Sequence, residues 1–300
     1  MTVFCRTRPL FLVTIIGTLI FISLITFGNY ASLNYKEIKK SEIFQKWHNC
    51  ITNKLNFEEN PAEFWNSLHF KTNECENQDE VGKKLNFQKF KNLDETKYAV
   101  LPSDKDAESE TLVLTIGVGN DTKSENSFKK RMSNYKTKLK FKGADPIVNP
   151  NAELFSKIGT FFPFAISGAS GFYDGFVLVN GKYKFSNVVH LEFIHFIDKM
   201  LKVKVIDHLW LDAEFAEYTI FDKFYKDGDL DALGVTICQM NLEVHKPSDQ
   251  QKKEFMDFIH RIVVDGKYGF FKLVKETHHR LFFVNFESSY CREKYFPQVF

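Results

Sequence analysis

The stretch "LVLTIGVGND", Leu112 to Asp121, decides the fold, because an apolar run passes directly into a glycine turn. Leu112 to Ile116 is apolar except for one threonine, and Gly117 and Gly119 follow at once. A short apolar run bounded by a turn signal is typical of a buried strand of a parallel sheet. Glycines in the turn let the backbone approach a ligand closely. The stretch therefore predicts either a site for a nucleotide-like cofactor or a plain turn.

Strand and helix patterns alternate after Glu110. Apolar runs predict strands at 111–117, 139–147, 160–168, 204–214, 231–244, 268–274 and 280–287. Amphipathic stretches predict helices at 124–138, 149–159, 190–201, 215–228 and 249–266. Asn180-Gly181 between two alternating runs predicts a β-hairpin over 175–186. The alternation predicts βαβ units, and hence a mostly parallel sheet with helices on both faces.

The last two predicted strands have to pair differently from the others. They are joined only by "KETHH", residues 275–279, whereas a parallel crossover needs about a dozen residues or more. We therefore expect them to form a terminal antiparallel hairpin. A mostly parallel seven-stranded sheet that ends in such a hairpin is the plan of the Rossmann-like class I methyltransferases. The fold class predicted for this chain is that α/β fold.

The N-terminal region predicts a membrane anchor. Leu10 to Phe27 is uncharged and close to the ~20 apolar residues that a helix needs to cross a bilayer. Arg6 and Arg8 precede it, which favours a cytosolic N-terminus and a translocated remainder. A cleaved signal peptide, with a cleavage site at Ala31, is the alternative. The predicted organisation is a cytosolic tail (1–9), a transmembrane signal anchor (10–27), a stem and cap region (28–110) and a methyltransferase-like domain (111–300), in a single-pass type II protein of the Golgi or another secretory membrane.

Composition excludes some classes of protein and leaves others open. The formal net charge of +2 argues against a nucleic-acid partner. The 33 phenylalanines indicate first a core and only second a binding surface. Cys50, Cys75, Cys238 and Cys291 follow the apolar span, and the sequence leaves their three possible pairings open. No Cys/His spacing indicates zinc, so no metal ligand is predicted.

Candidate functional residues lie where the predicted strands end. In an open α/β sheet the ligand binds beyond the carboxyl ends of the strands. The first strand ends in the glycine turn, and the second ends in Asp145. A carboxylate at that second position is suited to the two hydroxyls of a ribose. Asp212 and Glu214 end the fourth strand. The order and spacing of these residues favour a nucleoside site.

These elements resemble the FkbM-type methyltransferases, which depend on S-adenosylmethionine. "TIGVGND", "GADPI", "AISGASG" and "LDAEFAE" stand where that family has its glycine turn, its acidic residue before proline, its alanine-to-glycine segment and the acidic end of its fourth strand. The resemblance extends from about 111 to 287. It implies methyl transfer, usually to a hydroxyl oxygen, and S-adenosylmethionine bound by residues of the first three segments: Gly117, Val118, Gly119, Asp145 and Ser167.

Transfer to a hydroxyl also needs a group that accepts its proton. Asp212 is the predicted base, because it ends the fourth strand at the mouth of the site, and Glu214 is the second catalytic candidate. Glu217 is interpreted as a carboxylate favoured by a helix dipole. His245, just after the fifth strand, is predicted to contact the substrate. The expected substrate is a glycan or another small acceptor in the secretory lumen.

Three residues depart from the family pattern. Thr115 stands in place of an aspartate, Asp121 in place of the last glycine of the turn, and Phe215 in place of a glycine after the fourth strand. These changes keep open an inactive binding protein that retains the fold. A type II glycosyltransferase is a further alternative, because Asp227-Gly228-Asp229 has the form of a metal-binding D-x-D motif. Its position before the fifth strand predicts a turn instead.

Overall fold

The computed structural model describes residues 41–55, 60–78, 80–179 and 181–300. None of the helices in this part of the chain is both long and apolar enough to cross a membrane. The predicted cytosolic tail (1–9) and signal anchor (10–27) lie outside the described residues. The anchor therefore stays a prediction.

The described residues form two sheets, one short hairpin and a set of flanking helices. The strands, in chain order, are β1 (Gln88–Lys91), β2 (Thr96–Ala99), β3 (Ser109–Ile116), β4 (Thr137–Ala144), β5 (Thr160–Phe162), β6 (Ala165–Ser167), β7 (Gly171–Val179), β8 (Lys182–Glu192), β9 (Val205–Leu211), β10 (Thr236–Val244), β11 (Tyr268–Lys275) and β12 (His279–Asn285). The α-helices are α1 (Glu42–Lys54), α2 (Pro61–Gln78), α3 (Val81–Lys84), α4 (Lys123–Met132), α5 (Asn151–Ser156), α6 (Phe193–His195), α7 (Asp229–Ala232), α8 (Asp249–Asp265) and α9 (Ser289–Tyr295). A π-helical turn, Phe196–Leu201, continues α6.

The central sheet has seven strands in the order β11-β12-β10-β9-β3-β4-β5. The neighbours from β10 to β5 are parallel, and β12 is antiparallel to both of its neighbours. The α/β fold with a mostly parallel seven-stranded sheet is thus confirmed. The strand order reverses between β3 and β9, and the crevice at such a reversal is where open α/β sheets bind their ligands.

The central strands are buried on both faces, as their continuous apolar runs predict. In β9 and in β10, every residue after the first is buried. Two hydrophobic clusters cover the sheet: one includes Phe258 and Phe283, and the other Phe128, Phe141 and Trp210. Phenylalanine is therefore mainly a core residue here.

Helix α8 follows its sequence signals at both ends. The hydroxyl of Ser248 accepts a hydrogen bond from the backbone N–H of Gln251, whose side chain accepts one from the backbone N–H of Ser248. This reciprocal pair satisfies two donors that a helix start leaves open. Gly266, with φ of 59°, ends the helix in the left-handed conformation that glycine adopts readily. Between these ends the buried face of α8 packs on the central sheet.

Helices α1 and α2, from the region predicted as stem and cap, pack on the same core. The Trp47 ring of α1 lies edge-on to that of Phe270 in β11, with ring centroids 5.2 Å apart. Both Trp47 and Phe64 are fully buried. A disulfide between Cys50 and Cys75 joins the two helices. A second disulfide joins β10 to α9 through Cys238 and Cys291, so the structure selects one of the three possible pairings.

The β1–β2 hairpin docks on β10 through two amide side chains. Gln239 accepts from the backbone N–H of Val100 at 2.7 Å and donates to its carbonyl at 2.9 Å. Asn241 makes the same pair of bonds to Tyr98, at 2.7 and 2.8 Å. Both amides are buried, so they take the place of a neighbouring strand for this segment.

A second, three-stranded sheet has the order β6-β8-β7, and β7 and β8 form the predicted hairpin around Gly181. The single strand expected over 160–168 is wrong. Its first half, β5, joins the central sheet, and its second half, β6, joins the small one. Pro163 lies between them, and because proline has no backbone N–H it interrupts strand pairing.

Two predicted helices also differ from the structure. Residues 215–228 form two short 3₁₀ turns, Ala216–Thr219 and Phe221–Phe224, and not one α-helix. Glu214 and Phe215 have φ of 47° and 75°, so the chain enters this segment outside the right-handed helical region. The helix expected over 190–201 begins later, at Phe193, because β8 continues through Glu192.

Replacing Gln239 with leucine should lower the free energy of unfolding by roughly 2–4 kcal/mol, because the backbone N–H and carbonyl of Val100 lose their partners in a buried position. Urea denaturation followed by circular dichroism measures this. Gln250→Leu, at an exposed position of α8, is the matched control and should change stability by less than about 0.5 kcal/mol. Equal stability of Q239L and the wild type would mean that the amide does not hold the hairpin.

Candidate functional site

A cavity of about 1080 Å³ lies at the carboxyl ends of β3, β4 and β9, where the strand order reverses. The β7–β8 hairpin supplies one wall, and four aromatic residues of that wall line the cavity: Tyr173, Phe176, Tyr183 and Phe185. Ligand pockets usually measure about 300–1,000 Å³. The cavity is therefore large enough for a nucleoside-sized ligand together with part of a second molecule.

The two glycines of the opening stretch have different tasks. Gly117 and Gly119 have φ of 82° and 57°, a region that other residues seldom adopt. A Cβ on Gly117 would lie 1.8 Å from the backbone carbonyl oxygen of Asp212, so a side chain would force β3 and β9 apart. A Cβ on Gly119 would meet nothing within 4 Å, and this residue lines the cavity. The turn thus joins two strand ends and leaves open space on its cavity side.

Asp145 lies against the same turn and lines the cavity. Its carboxylate accepts hydrogen bonds from the backbone N–H groups of Gly119, at 3.1 Å, and Ile147, at 2.7 Å. Burial raises the pKa of this carboxyl group, and the hydrogen bonds only partly oppose that effect. The side chain of Asn151 and the backbone of Val118 also hydrogen-bond to this carboxylate.

The other two predicted cofactor residues differ from each other. Ser167, at the end of β6, lines the cavity, and its hydroxyl donates to the carbonyl of Ala169 at 2.9 Å. Val118 does not line the cavity. Its side chain is buried in the cluster that contains Phe128 and Trp210. The backbone of Val118 hydrogen-bonds to the carboxylate of Asp145.

Two of the three departures from the family pattern lie outside the cavity lining. The Thr115 hydroxyl donates to Oε1 of Glu125 at 3.1 Å, and burial raises the pKa of Glu125 to about 7. Asp121 accepts hydrogen bonds from the backbone N–H groups of Leu93 and Lys123. Both residues therefore support the turn from outside, and neither obstructs the cavity.

Asp212 and Glu214 extend from the end of β9 towards His245, at the end of β10. Nε2 of His245 lies 3.5 Å from Oδ1 of Asp212 and 3.1 Å from Oε2 of Glu214. Its other ring nitrogen, Nδ1, lies 3.0 Å from Oε1 of Glu217, which also accepts from the backbone N–H of His245 at 2.7 Å. Asp212 and Glu214 line the cavity, whereas His245 and Glu217 are buried and do not.

The four side chains form an acid–histidine cluster, defined as Asp212, Glu214, Glu217 and His245. The structure thus brings both predicted catalytic residues to the predicted substrate histidine, but it places that histidine behind them. Glu217 lies in the first turn of the 3₁₀ segment Ala216–Thr219, and its carboxylate is fully buried against His245. Helical spacing gave no signal for this contact, because Glu214 lies before the 3₁₀ segment and has φ of 47°.

The groups of the cluster influence one another's protonation. Burial raises the pKa of Asp212 well above its usual range, and it also raises the pKa of Glu214. Burial disfavours the charged form of His245, but the hydrogen bond to Glu217 and the nearby carboxylates outweigh it and raise its pKa to about 10. The cluster therefore retains protons at a pH where isolated carboxyl groups and imidazoles have lost theirs.

Phe215, the third departure, is part of the cavity wall. Its ring centroid lies 5.8 Å from that of Phe176 in the hairpin and 5.4 Å from that of His245. The hydroxyl of Tyr183, also in the hairpin, hydrogen-bonds to the carboxylate of Glu214. The sequence analysis did not assign this aromatic wall. Its signal was the series of aromatic residues on both arms of the predicted hairpin.

Fold and cavity together define an α/β protein with a mostly parallel seven-stranded sheet and a cavity at the reversal of strand order. The family model of the methyltransferase FkbM domain matches residues 49–271, and the chain belongs to this family. The match begins within the segment predicted as stem and cap and includes all four side chains of the acid–histidine cluster. Membership in this family implies a methyl donor as cofactor.

One curated relative is the uncharacterized protein C28H8.7 of Caenorhabditis elegans, which is 31% identical over 103 residues. The aligned part covers 34% of this chain and 35% of the relative, so the chain spans about a third of the length of that relative. No solved structure matches the chain.

Replacing Glu125 with glutamine should make the protein more stable above pH 7. The pKa of this carboxyl group is near 4.5 in the unfolded chain and about 7 in the folded one. The unfolded state therefore loses the proton first, and this group destabilises the fold as pH rises from about 4.5 to 7. Glutamine keeps the oxygen that accepts from Thr115 but has no charge to bury.

We expect E125Q to match the wild type near pH 4.5 and to exceed it at pH 8 by an amount on the order of 3 kcal/mol. Urea denaturation at both pH values measures the difference. Glu153→Gln, at an exposed position, is the control and should show no such dependence. A difference between E125Q and the wild type that does not change with pH would contradict the assignment.

Proposed function

We propose that the protein transfers a methyl group from S-adenosylmethionine to a hydroxyl oxygen of a glycan or another small acceptor. One observation carries the proposal: a single cavity joins the Gly117–Gly119 turn and Asp145, on one side of β3, to Asp212 and Glu214 on the other. The first group is suited to a nucleoside and the second to proton transfer. Family membership supports the reaction class.

The residues present fit this cofactor. Gly119 leaves open space where a side chain would fill the cavity, and the carboxylate of Asp145 lines the cavity beside it. Ser167 lines the same region. The carboxylates of Asp212 and Glu214 complement a positively charged donor. S-adenosylmethionine supplies a methyl group that is already activated, so the protein has to position the reactants and remove a proton.

Asp212 and Glu214 are the groups that we assign to proton removal. Both line the cavity, and the raised pKa of each carboxyl group brings it closer to the operating range of a general base near neutral pH. His245 and Glu217 hold these carboxylates from behind. Their role is positional, because neither lines the cavity.

The aromatic wall defines the acceptor side. Phe176 and Tyr183 stack with ring centroids 5.2 Å apart, and Phe176 lies directly opposite Phe185 in the hairpin register. The rings of this surface are apolar, and the hydroxyl of Tyr183 lies beside them. It suits a ring-shaped acceptor that carries hydroxyl groups on its edge, as a sugar does.

A lumenal location is part of the proposal. The uncharged run from Leu10 to Phe27 has the length of a membrane anchor. The disulfides Cys50–Cys75 and Cys238–Cys291 support an oxidising compartment for the large domain. The Golgi or another secretory membrane is the location that we propose.

Phe215 favours a second candidate, an inactive cofactor-binding protein. Its ring occupies space beside His245 and Phe176 where the family pattern has a glycine. The glycosyltransferase alternative gains no such support. Asp227 lies in a turn, Asp229 pairs with Lys223 at 2.8 Å, and neither aspartate lines the cavity.

Asp145→Ala should weaken binding of S-adenosylmethionine about 10- to 100-fold, as expected from the loss of hydrogen bonds to a charged group, roughly 1.5–3 kcal/mol. Isothermal titration calorimetry on the full chain measures this. Asp174→Ala is the matched control, because Asp174 lines the same cavity from the hairpin side. Unchanged affinity in D145A would locate the nucleoside elsewhere.

Asp212→Asn should leave the affinity for S-adenosylmethionine nearly unchanged and reduce methyl transfer by about 10²- to 10⁴-fold, the usual contribution of general acid–base catalysis. Transfer of a radiolabelled methyl group to a mixture of secretory-pathway glycans measures the rate. His195→Ala, an exposed histidine outside the cavity lining, controls for handling. Tight cofactor binding without transfer by the wild type would instead support the inactive binding protein.

A further inference from the structure

Three side chains of the acid–histidine cluster converge on one point beside the cavity. Asp212, Glu214 and His245 each offer one ligand atom, and these atoms lie within 4.8 Å of one another. We propose that they bind a divalent cation, with Oδ1 of Asp212, Oε2 of Glu214 and Nε2 of His245 as ligands. The role of this cation rests on the proposed function, whereas the arrangement of its three ligand atoms does not.

Glu217 prepares the histidine for this task. Its carboxylate lies 3.0 Å from Nδ1 of His245 and accepts the backbone N–H of the same residue at 2.7 Å. The ring is thereby held with Nε2 directed at Asp212 and Glu214. A carboxylate behind a histidine is the usual support of a metal ligand, because it fixes the ring orientation and raises the basicity of the nitrogen.

The cluster also contains a buried carboxylate oxygen that lacks a hydrogen-bond partner. Oδ1 of Asp212 is buried and has no hydrogen-bond partner in the part of the chain that the structure describes. Three carboxylates surround the single imidazole of His245, whose side chain is only 5% exposed. A buried carboxylate oxygen without a partner is costly, and a cation at the convergence point would provide that partner.

A second possible set of ligands in the described residues, Glu243, His245 and His278, is less suited. Glu243 is already held by Arg280 through hydrogen bonds of 3.0 and 3.1 Å. Glu243 and His278 also do not line the cavity, whereas Asp212 and Glu214 do. A cation on the chosen set would therefore present its remaining coordination positions to the cavity.

That position gives the cation a role in the proposed reaction. Three protein ligands with open positions are typical of catalytic metal sites. An acceptor hydroxyl bound there would be oriented and would lose its proton more readily. The second oxygen of Asp212 is not used for coordination, so it can still receive that proton. Two carboxylates and one imidazole suit Mn²⁺. Softer metals prefer thiolate ligands, and Ca²⁺ takes oxygen ligands, so this set of ligands suits them less well.

Mn²⁺ binding tests the site without any assay of activity. The electron paramagnetic resonance signal of free Mn²⁺ is followed while the full-length chain is added. We expect one Mn²⁺ bound per chain. Glu214→Gln and His245→Ala should each weaken binding at least about 10-fold, and Glu217→Gln about 10- to 100-fold, as is typical when the support of a ligand is lost. His195→Ala is the matched histidine control and should bind as the wild type does.

Circular dichroism shows whether each variant is folded. His245 is more buried than Glu214, so if H245A does not fold, Mn²⁺ binding by E214Q alone decides the result. Failure of the wild type to bind Mn²⁺, or equal binding by wild type and folded E214Q, overturns the site. Calorimetry with S-adenosylmethionine on the same samples in EDTA separates the two proposals. Cofactor binding without Mn²⁺ binding overturns the cation site alone, and Mn²⁺ binding without cofactor binding overturns the proposed function alone.

Discussion

The close approach of the Gly117 and Asp212 backbones is the constraint on which the site depends. The N–H of Asp212 donates to the carbonyl of Ile116, and the N–H of Gly117 donates to that of Ala144, both at 2.9 Å. A side chain at Gly117 would collide with the Asp212 carbonyl oxygen. Glycine there lets the ends of β9, β3 and β4 meet in one hydrogen-bonded row. The turn, Asp145 and the acid–histidine cluster therefore share one cavity.

The two sides of that cavity are built on different physical principles. On the β4 side, Asp145 is buried and tied to backbone N–H groups, so its position is rigid. On the β9 side, three carboxylates surround His245. The protonation of each of these groups depends on its neighbours, so the local charge changes when a ligand binds. Glu214 and Phe215 both have positive φ, which costs energy for residues other than glycine. This strain sets the Phe215 ring between the cluster and the hairpin.

The sequence pattern correctly predicted the elements whose bounds depend on neighbouring residues. The strand before Gly117 is buried as its apolar run indicates, and α8 starts and stops at its Ser248 and Gly266 signals. The pattern failed where tertiary contacts decide. Pro163 ends one strand and lets the chain enter another sheet. The amphipathic stretch after Phe215 has helical spacing, but positive φ at its start and tight packing against α8 leave it as two 3₁₀ turns.

The sequence by itself determined the α/β class, the residues at the strand ends and the resemblance to the FkbM family, because strand burial and turn chemistry are read from neighbouring residues. It also predicted Asp145, Asp212, Glu214 and His245, one at a time, as candidate site residues. Only the tertiary structure decided the disulfide partners, the aromatic wall of the hairpin and the contact of Glu217 with His245. Those features join segments far apart in the chain, and no local pattern encodes the distance between them.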